Sequence, residues 1–273
     1  MTVSAGLYQP LSGIQYGFEW GTDHYRERSI SYLGQPVVYY QFATARTENE
    51  AKEIQVVPDG CVDLLFCCDG RSPEALVCGT VLRGRSISLR SGTVYFGVRL
   101  SARLSIVLPG LSLKDVIEEQ APFEDSLSSY ADMSERIAEC AGFAERIACF
   151  ERRCPGLLNG SDRSIVLADY CLTELQRTDG GVSIRELAEG TGYSERYLRK
   201  KFEQSFGFSP KLYGRIVRFQ RTLEGIVRSR APLAEVAIER GYFDQAHFLK
   251  DFKEFSPLTP QQLRARADSA GDG

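Results

Sequence analysis

Histidine is scarce in this chain of 273 residues, which holds only His24 and His247. No C-x-x-C pair occurs among its eight cysteines. A structural zinc site needs clustered Cys and His ligands at short spacings, so neither a metal site nor a cofactor is expected. No run of eighteen apolar residues is present, which excludes a membrane-spanning helix. The first residues, Met1-TVSAGLYQPLSG, lack both a basic start and an apolar core, so no secretion signal is expected and the location is expected to be cytoplasmic. In a reducing compartment a disulfide framework is not expected either. The cysteines then read as small buried hydrophobes, all of them at or before Cys171. The alternative is a thiol-based sensor made of Cys61, Cys67, Cys68 and Cys78, were strand pairing to gather them.

What is present divides into two unlike halves. The length suffices for two domains with their own cores. The net charge is −3, but residues 160–273 carry 18 Lys+Arg against 16 Asp+Glu, leaving 15 against 20 before them. The acidic first part is not expected to touch nucleic acid, and the basic residues of the second must be concentrated on one face. Up to about residue 110, short runs rich in Val, Ile, Tyr and Phe alternate with Gly, Pro and Asp: Val37-VYYQF, Val62-DLLFCC, Leu76-VCGTVL, Ser86-ISL and Val94-YFGVRL. Pro58-Asp59-Gly60 is a turn signal. Such a pattern predicts a β-barrel or sandwich able to hold one small ligand. Candidate ligand-binding side chains are Trp20, Tyr39, Cys61, Phe66, Cys67, Cys78 and Tyr95, with Arg83 and Arg85 suited to an anionic ligand. Each of these can equally be plain core or exposed strand.

From Ser112 the pattern turns helical. Ser112-LKDVIEEQ predicts a short helix ended before Pro122. Over 132–152 Met133, Ile137, Cys140, Ala144 and Ile147 recur at helical steps. That apolar stripe must be covered, by its own barrel or by the same helix of a second copy as a homodimer seam. A Pro/Gly/Asn/Ser cluster over 154–163 predicts a linker. The expected organisation is therefore α+β: a β-rich regulatory domain with a helical end over 1–153, the linker, an all-α domain over 164–266, and a disordered tail over 267–273.

The last hundred residues hold one device twice. Ser183-IRELAEGTGYSERYLRKKFEQSFGFSP and Pro232-LAEVAIERGYFDQAHFLKDFKEFSPLTP each read as a short helix, a Gly-aromatic turn and a longer helix. Their turn glycines, Gly192 and Gly241, lie 49 residues apart. Helix, tight turn and helix make a helix-turn-helix, whose second helix enters the major groove of DNA. Ser183 and Glu186 form a capping box, Gly192 ends the first helix, and Tyr193 is expected to anchor the core. Ser194 caps the second helix, whose core side is Leu198, Phe202 and Phe206. That phase leaves Arg196, Arg199 and Lys200 toward a groove, where an Arg fork matches guanine O6 and N7. Lys201 is assigned to phosphate. A long helix from Pro210, with Leu212, Ile216, Phe219, Leu223 and Ile226 on one side, is expected to join the units. Its rigidity bears on spacing, since two such helices on one face of DNA sit about 34 Å apart. In the second unit Phe248 and Phe252 face the core. Gln245, Ala246, His247 and Lys250 remain for DNA: Gln pairs with adenine, and Ala touches a thymine methyl.

The segment Gly241-Tyr242-Phe243-Asp244-Gln245-Ala246-His247-Phe248, with Phe252-Lys253 and Ser256-Pro257-Leu258-Thr259-Pro260-Gln261-Gln262-Leu263-Arg264, resembles the signature of the AraC/XylS family of transcription regulators. The resemblance covers about Ile165 to Arg266. It departs at Ser256-Pro257-Leu258, where a Gly usually precedes the Ser/Thr-Pro, which puts the geometry of that turn in question. It implies tandem units on adjacent major grooves of double-stranded promoter DNA, and activation through contact with RNA polymerase. Base contacts in such proteins fall here on Arg196, Arg199, Lys200, Gln245, His247 and Lys250. Tyr8-Gln-Pro10, Val57 to Phe66 and Gly97-Val98-Arg99-Leu100 are similar to a β-rich sensor domain of one branch of the family, implying control by a small-molecule or redox signal. Two enzyme readings compete, a metal-dependent β-barrel catalyst and an alkyl-transfer repair protein fused to a DNA-binding domain. The first needs several imidazoles and the second a zinc-activated cysteine cluster, and neither is legible, so a non-enzyme is expected.

Overall fold

The computed structural model describes residues 14–32, 35–48, 51–105, 113–154 and 166–271. The N-terminal part runs α1 (Tyr16–Gly21), β1 (Asp23–Tyr32), β2 (Gln35–Ala43), β3 (Ala51–Val56), β4 (Val62–Cys67), β5 (Glu74–Cys78), β6 (Arg85–Arg90) and β7 (Val94–Leu100). It continues through α2 (Ala102–Ser105), α3 (Leu113–Val116), β8 (Gln120–Pro122), α4 (Phe123–Ser126), α5 (Met133–Glu139) and α6 (Phe143–Arg153). The C-terminal part is α7 (Val166–Arg177), α8 (Ile184–Thr191), α9 (Glu195–Phe206), α10 (Pro210–Arg228), α11 (Leu233–Glu239), α12 (Gln245–Phe255) and α13 (Pro260–Gly271). Two domains of an α+β chain result, one built on a sheet and one all-helical.

The main sheet is antiparallel, in the order β1-β2-β7-β4-β5-β8, and β3 pairs with β6 as a separate ribbon. Because side chains alternate across a strand, neighbours enter different cores. Tyr39, Phe66 and Phe96 face helices, with the Tyr39 and Phe66 rings 6.1 and 6.2 Å from Phe150 of α6. Tyr40, Phe42, Leu65, Cys67 and Tyr95 face the ribbon and Phe18 of α1. Gly97 lies opposite Tyr40 in the register, and any Cβ there would stand 2.0 Å from the tyrosine ring. The sandwich form of the expected fold is the one adopted.

Three expectations need correction. The pattern over 132–152 is two helices, broken at Cys140–Gly142. Buried Arg146 holds that break, donating from Nη2 to the Cys140 carbonyl at 3.0 Å and from Nε to that of Ile137 at 3.3 Å. Carbonyls at a helix end need such partners. Met133, Ile137, Ile147 and Phe150 are buried in the chain's own core, which covers most of the apolar stripe within the chain. The stretch expected as a disordered tail is helical as far as Gly271, since Ala265-Arg-Ala-Asp-Ser-Ala suits continuation of α13. Gln120–Pro122 pairs with β5 as a short edge strand rather than ending a helix. The linker beyond Cys154, and Tyr8-Gln-Pro10, lie outside the described residues.

The two domains share their cores. Phe202, Phe206, Phe208 and Tyr213 belong to the same buried cluster as the helix-covered face of the sheet. Tyr16 and Val57 join Phe219, Phe248, Phe252 and Phe255 in a second cluster.

Candidate nucleic-acid interface

Local chemistry builds the first unit. Glu186 N–H donates to Ser183 Oγ at 3.2 Å and Ser183 N–H to Glu186 Oε2 at 2.8 Å, the reciprocal pair of a capping box. Those bonds from Ser183 hold the Glu186 carboxyl below its ordinary range. Gly192 has φ 73° and closes α8 by donating to the Ala188 carbonyl at 2.9 Å. Ser194 Oγ then caps α9 through Tyr197 N–H at 3.3 Å. Leu198, Phe202 and Phe206 are buried, and Arg196, Arg199 and Lys200 are exposed. Arg199 donates from Nη2 to Glu195 at 2.6 Å, which leaves its other N–H groups to make a further contact. Lys201 is half-buried, its Nζ 5.8 Å from the centre of the Tyr197 ring. Tyr193 is half exposed and stacks on Tyr197 at 5.1 Å. It does not anchor the core as the sequence suggested, because the cap turns it outward.

In the second unit Asp244 caps α12 through His247 N–H at 2.7 Å. Gln245, Ala246 and Lys250 are exposed, and Phe248 and Phe252 are buried. His247 packs edge-on against the buried Tyr242 ring at 5.2 Å. Asp251, 2% exposed, receives Arg215 Nη2 of α10 at 2.8 Å, and the same nitrogen reaches Glu254 at 2.5 Å. The departing turn is well formed. Ser256 Oγ accepts from Leu258 N–H at 3.0 Å, and Thr259 and Gln262 bond reciprocally at the start of α13.

A polar clasp between the units was missed from the sequence. Asp179, which precedes the first unit, accepts from Arg221 Nε of α10 at 3.0 Å and from Arg240 Nη1, at the end of α11, at 3.4 Å. Arg218 adds a bond to the Gly180 carbonyl at 3.1 Å. Gly180 lies so close to α10 that a Cβ would stand 2.0 Å from the Gly214 oxygen. An acid before a Gly-Gly turn carried no hint of arginines 42 and 61 residues away.

The candidate ligand residues scatter. Cys61, Cys78 and Arg85 line a cavity of about 40 Å³ between the sheet and the ribbon. Tyr39 and Phe66 are core on the helix side, and Cys67 and Tyr95 are core on the ribbon side. Trp20 stacks on Tyr16 at 5.5 Å, and exposed Arg83 is 4.0 Å from Glu254. The cavity holds charges the sequence did not flag. Buried Arg99 donates to Asp63 at 3.1 Å and lies 3.7 Å from Asp59, while Tyr40 hydroxyl donates to Asp63 at 2.8 Å. Burial raises the Asp63 pKa despite the pull of Arg99. At this size the cavity admits water, against roughly 300–1,000 Å³ for small-molecule sites.

The four cysteines proposed as a sensor are not gathered. Cys67 and Cys68 point to opposite faces of the sheet, and burial raises the pKa of all four thiols, that of Cys68 to about 11. Cys140 is instead placed next to Cys149, with its pKa also pushed up to about 11. Among the described residues no group of three or more His, Cys, Asp or Glu is placed to hold a metal ion, and no helix is long and apolar enough to cross a membrane.

The cavity wall is also a domain contact. Between Val57 and Cys61, Asp59 faces the cavity and the Pro58 carbonyl accepts from Gln220 Nε2 of α10 at 2.7 Å. Gly60 has φ 73°, and a Cβ on it would meet the Tyr213 ring at 2.6 Å. Gln220 also accepts from Ile14 N–H at 2.8 Å, and Gly84 N–H donates to the Glu254 carbonyl at 3.2 Å.

Known proteins resemble this chain over spans from less than a third to most of its length. Residues 187–266 match the family described as a helix-turn-helix domain. An uncharacterized HTH-type transcriptional regulator of Haemophilus influenzae is 33% identical over 90 residues, covering 33% of this chain and 30% of that protein. One from Staphylococcus aureus is 30% identical over 83 residues, covering 30% of this chain and 11% of the relative. The chain thus spans less than a third of the length of these relatives. Among solved structures, the C-terminal domain of AraT, a response regulator from Geobacillus stearothermophilus, is 23% identical with a TM-score of 0.36, over 38% of this chain and 88% of that one. ToxT from Vibrio cholerae is 12% identical with a TM-score of 0.39, over 90% and 98%. Residues 187–266 of this chain form a helix-turn-helix domain.

Proposed function

We propose that this chain is a sequence-specific transcription regulator that activates promoters through RNA polymerase, with α9 and α12 in successive major grooves. The observation that carries this reading is the pair of capped recognition helices presenting exposed polar and basic side chains from their first turns. In this reading Arg196 and Arg199 read guanine, Lys200 supports them, and Lys201 leaves its ring to meet phosphate. Gln245 reads adenine, Ala246 packs on a thymine methyl, and His247 and Lys250 hold backbone. Two arginines in the first unit and none at the exposed front of the second make the first the stronger reader.

We further assign residues 1–153 to regulation and 164–266 to DNA binding, in the cytoplasm. A small ligand is favoured over a redox signal, because Cys61, Cys67, Cys68 and Cys78 are buried or half-buried and burial raises the pKa of each thiol. A ligand entering beside Cys61, Cys78 and Arg85 must enlarge the cavity, and the 57–61 segment would carry that change to Gln220 and Tyr213. Such a ligand acts only by binding the two arrangements unequally.

Selection of bound sequences from random duplex DNA tests the reading, with wild type and Arg196→Ala/Arg199→Ala in parallel at fixed, near-physiological salt. Wild type should enrich an asymmetric site with two blocks about one helical turn apart. The double variant should lose a guanine-containing block, at roughly 1–3 kcal/mol per arginine fork. Enrichment of no motif by the full chain or by residues 160–273 would overturn the assignment.

A further inference from the structure

Aligning the two units on their helix caps, rather than on their turn glycines, changes which residues correspond. Ser194 follows Gly192 by two positions, whereas Asp244 follows Gly241 by three. Tyr193 and Phe243 are therefore the equivalent residues, each immediately before the cap of a recognition helix. An apolar side chain there ordinarily packs as a staple on the fourth helical residue, here Leu198 or Phe248. Phe243 makes no such staple, being 91% exposed, the most exposed large hydrophobic among the described residues. Tyr193 is 51% exposed and its ring stacks on Tyr197. In the second unit His247 stands where Tyr197 stands in the first, and it packs on Tyr242. No ring contact joins Phe243 to another aromatic among the described residues. The turn thus carries an apolar surface beside Gln245 and Ala246, at the end of α12 that leads into a groove.

We propose that Phe243 is a specificity-determining residue that packs against the C5-methyl group of a thymine in the block read by α12. Thymine is the base whose major-groove edge is apolar, and Phe is among the side chains that meet its methyl. The inference rests on the proposed DNA-binding function. It adds a shape-reading element to a helix that carries no arginine on its exposed front, and it makes the second block thymine-dependent.

The test uses the full chain and the site enriched by wild type, with each thymine of the second block replaced in turn by uracil, which lacks only the methyl. Wild type should lose about three- to fivefold in affinity at the thymine under Phe243, the effect of burying one methyl group, and a separate loss at the thymine assigned to Ala246 should persist in the Phe243 variants. Phe243→Ser should bind wild-type DNA weaker by at least that factor and become indifferent to uracil at the first of these positions, while Phe243→Leu keeps the sensitivity. Circular dichroism should show both variants folded, as expected for so exposed a position. If wild type is indifferent to uracil at every thymine of that block, or Phe243→Ser is as sensitive as wild type, the thymine contact is overturned and the DNA-binding reading stands. If wild type enriches no site, both are overturned.

Discussion

The two helix-turn-helix units are built alike inside and differently outside. Both bury an aliphatic or aromatic residue four and eight positions after the cap, Leu198 and Phe202 in one and Phe248 and Phe252 in the other. Outside, the first unit presents Arg196, Arg199 and Lys200, and the second presents Phe243, Gln245, Ala246 and Lys250. The extra residue between Gly241 and Asp244 lets Tyr242 turn inward, where it is 3% exposed, and pushes Phe243 out. A shared interior thus coexists with two different surfaces, basic in the first unit and largely uncharged, with an exposed aromatic ring, in the second. The units also differ in how they are held: the first merges into the core of the sheet, and the second is pinned by a buried ion pair.

The largest effect should come from that pin. Arg215→Ala leaves Asp251 as a buried carboxylate without its arginine and should cost on the order of 3 kcal/mol, the low end for breaking a buried pair because Arg215 is partly exposed. Calorimetry should show a lower Tm, with loss of the second block in selected DNA and retention of the first. The same variant should also reduce acid sensitivity. Arg215 holds the Glu254 carboxyl below its ordinary range, so that group stabilises the fold above the ordinary carboxylate pKa and the stability fades as pH falls through the depressed value. Equal loss of both blocks would break the comparison.

A smaller effect should come from the clasp. Asp179→Asn keeps the shape of the site but removes the charge shared by Arg221 and Arg240. Binding to the optimal two-block site should weaken by only a few-fold, about 1 kcal/mol for a partly exposed pair. Sites with the spacing changed by one base pair should suffer less in the variant than in wild type. The smallest effect should come from Lys201→Gln. Losing one phosphate contact should weaken binding uniformly across sequences and lower the salt slope by about one. A change of base preference instead would assign Lys201 to the groove.

Much of the C-terminal domain was legible because its signals are local. The Ser183/Glu186 box, the left-handed Gly192, the Ser194 cap and the spacing of Leu198, Phe202 and Phe206 all involve partners a few residues apart. The N-terminal domain was less so. β1 is mostly exposed and lacks the alternation that marks a half-buried strand, so Asp23–Tyr32 gave no sign of itself. The break at Cys140–Gly142 was hidden because the apolar period runs on across it, and only Arg146 reveals why it holds. Tyr193 was misread because a Gly-aromatic pair looks the same whether the cap follows at once or one residue later.

By itself, then, the sequence determined that this chain is a β-rich domain followed by two helix-turn-helix units, and which helix faces carry charge. Those properties arise from backbone preferences and side chains within about one or two turns of each other. Only the tertiary structure decided that Arg99 is buried against Asp63, that Asp179 joins two arginines, that Gln220 ties α10 to residues 14 and 58, and that Phe243 is left uncovered. Each depends on which distant surfaces meet, and packing selects those meetings by shape and by the cost of leaving buried polar groups unpaired.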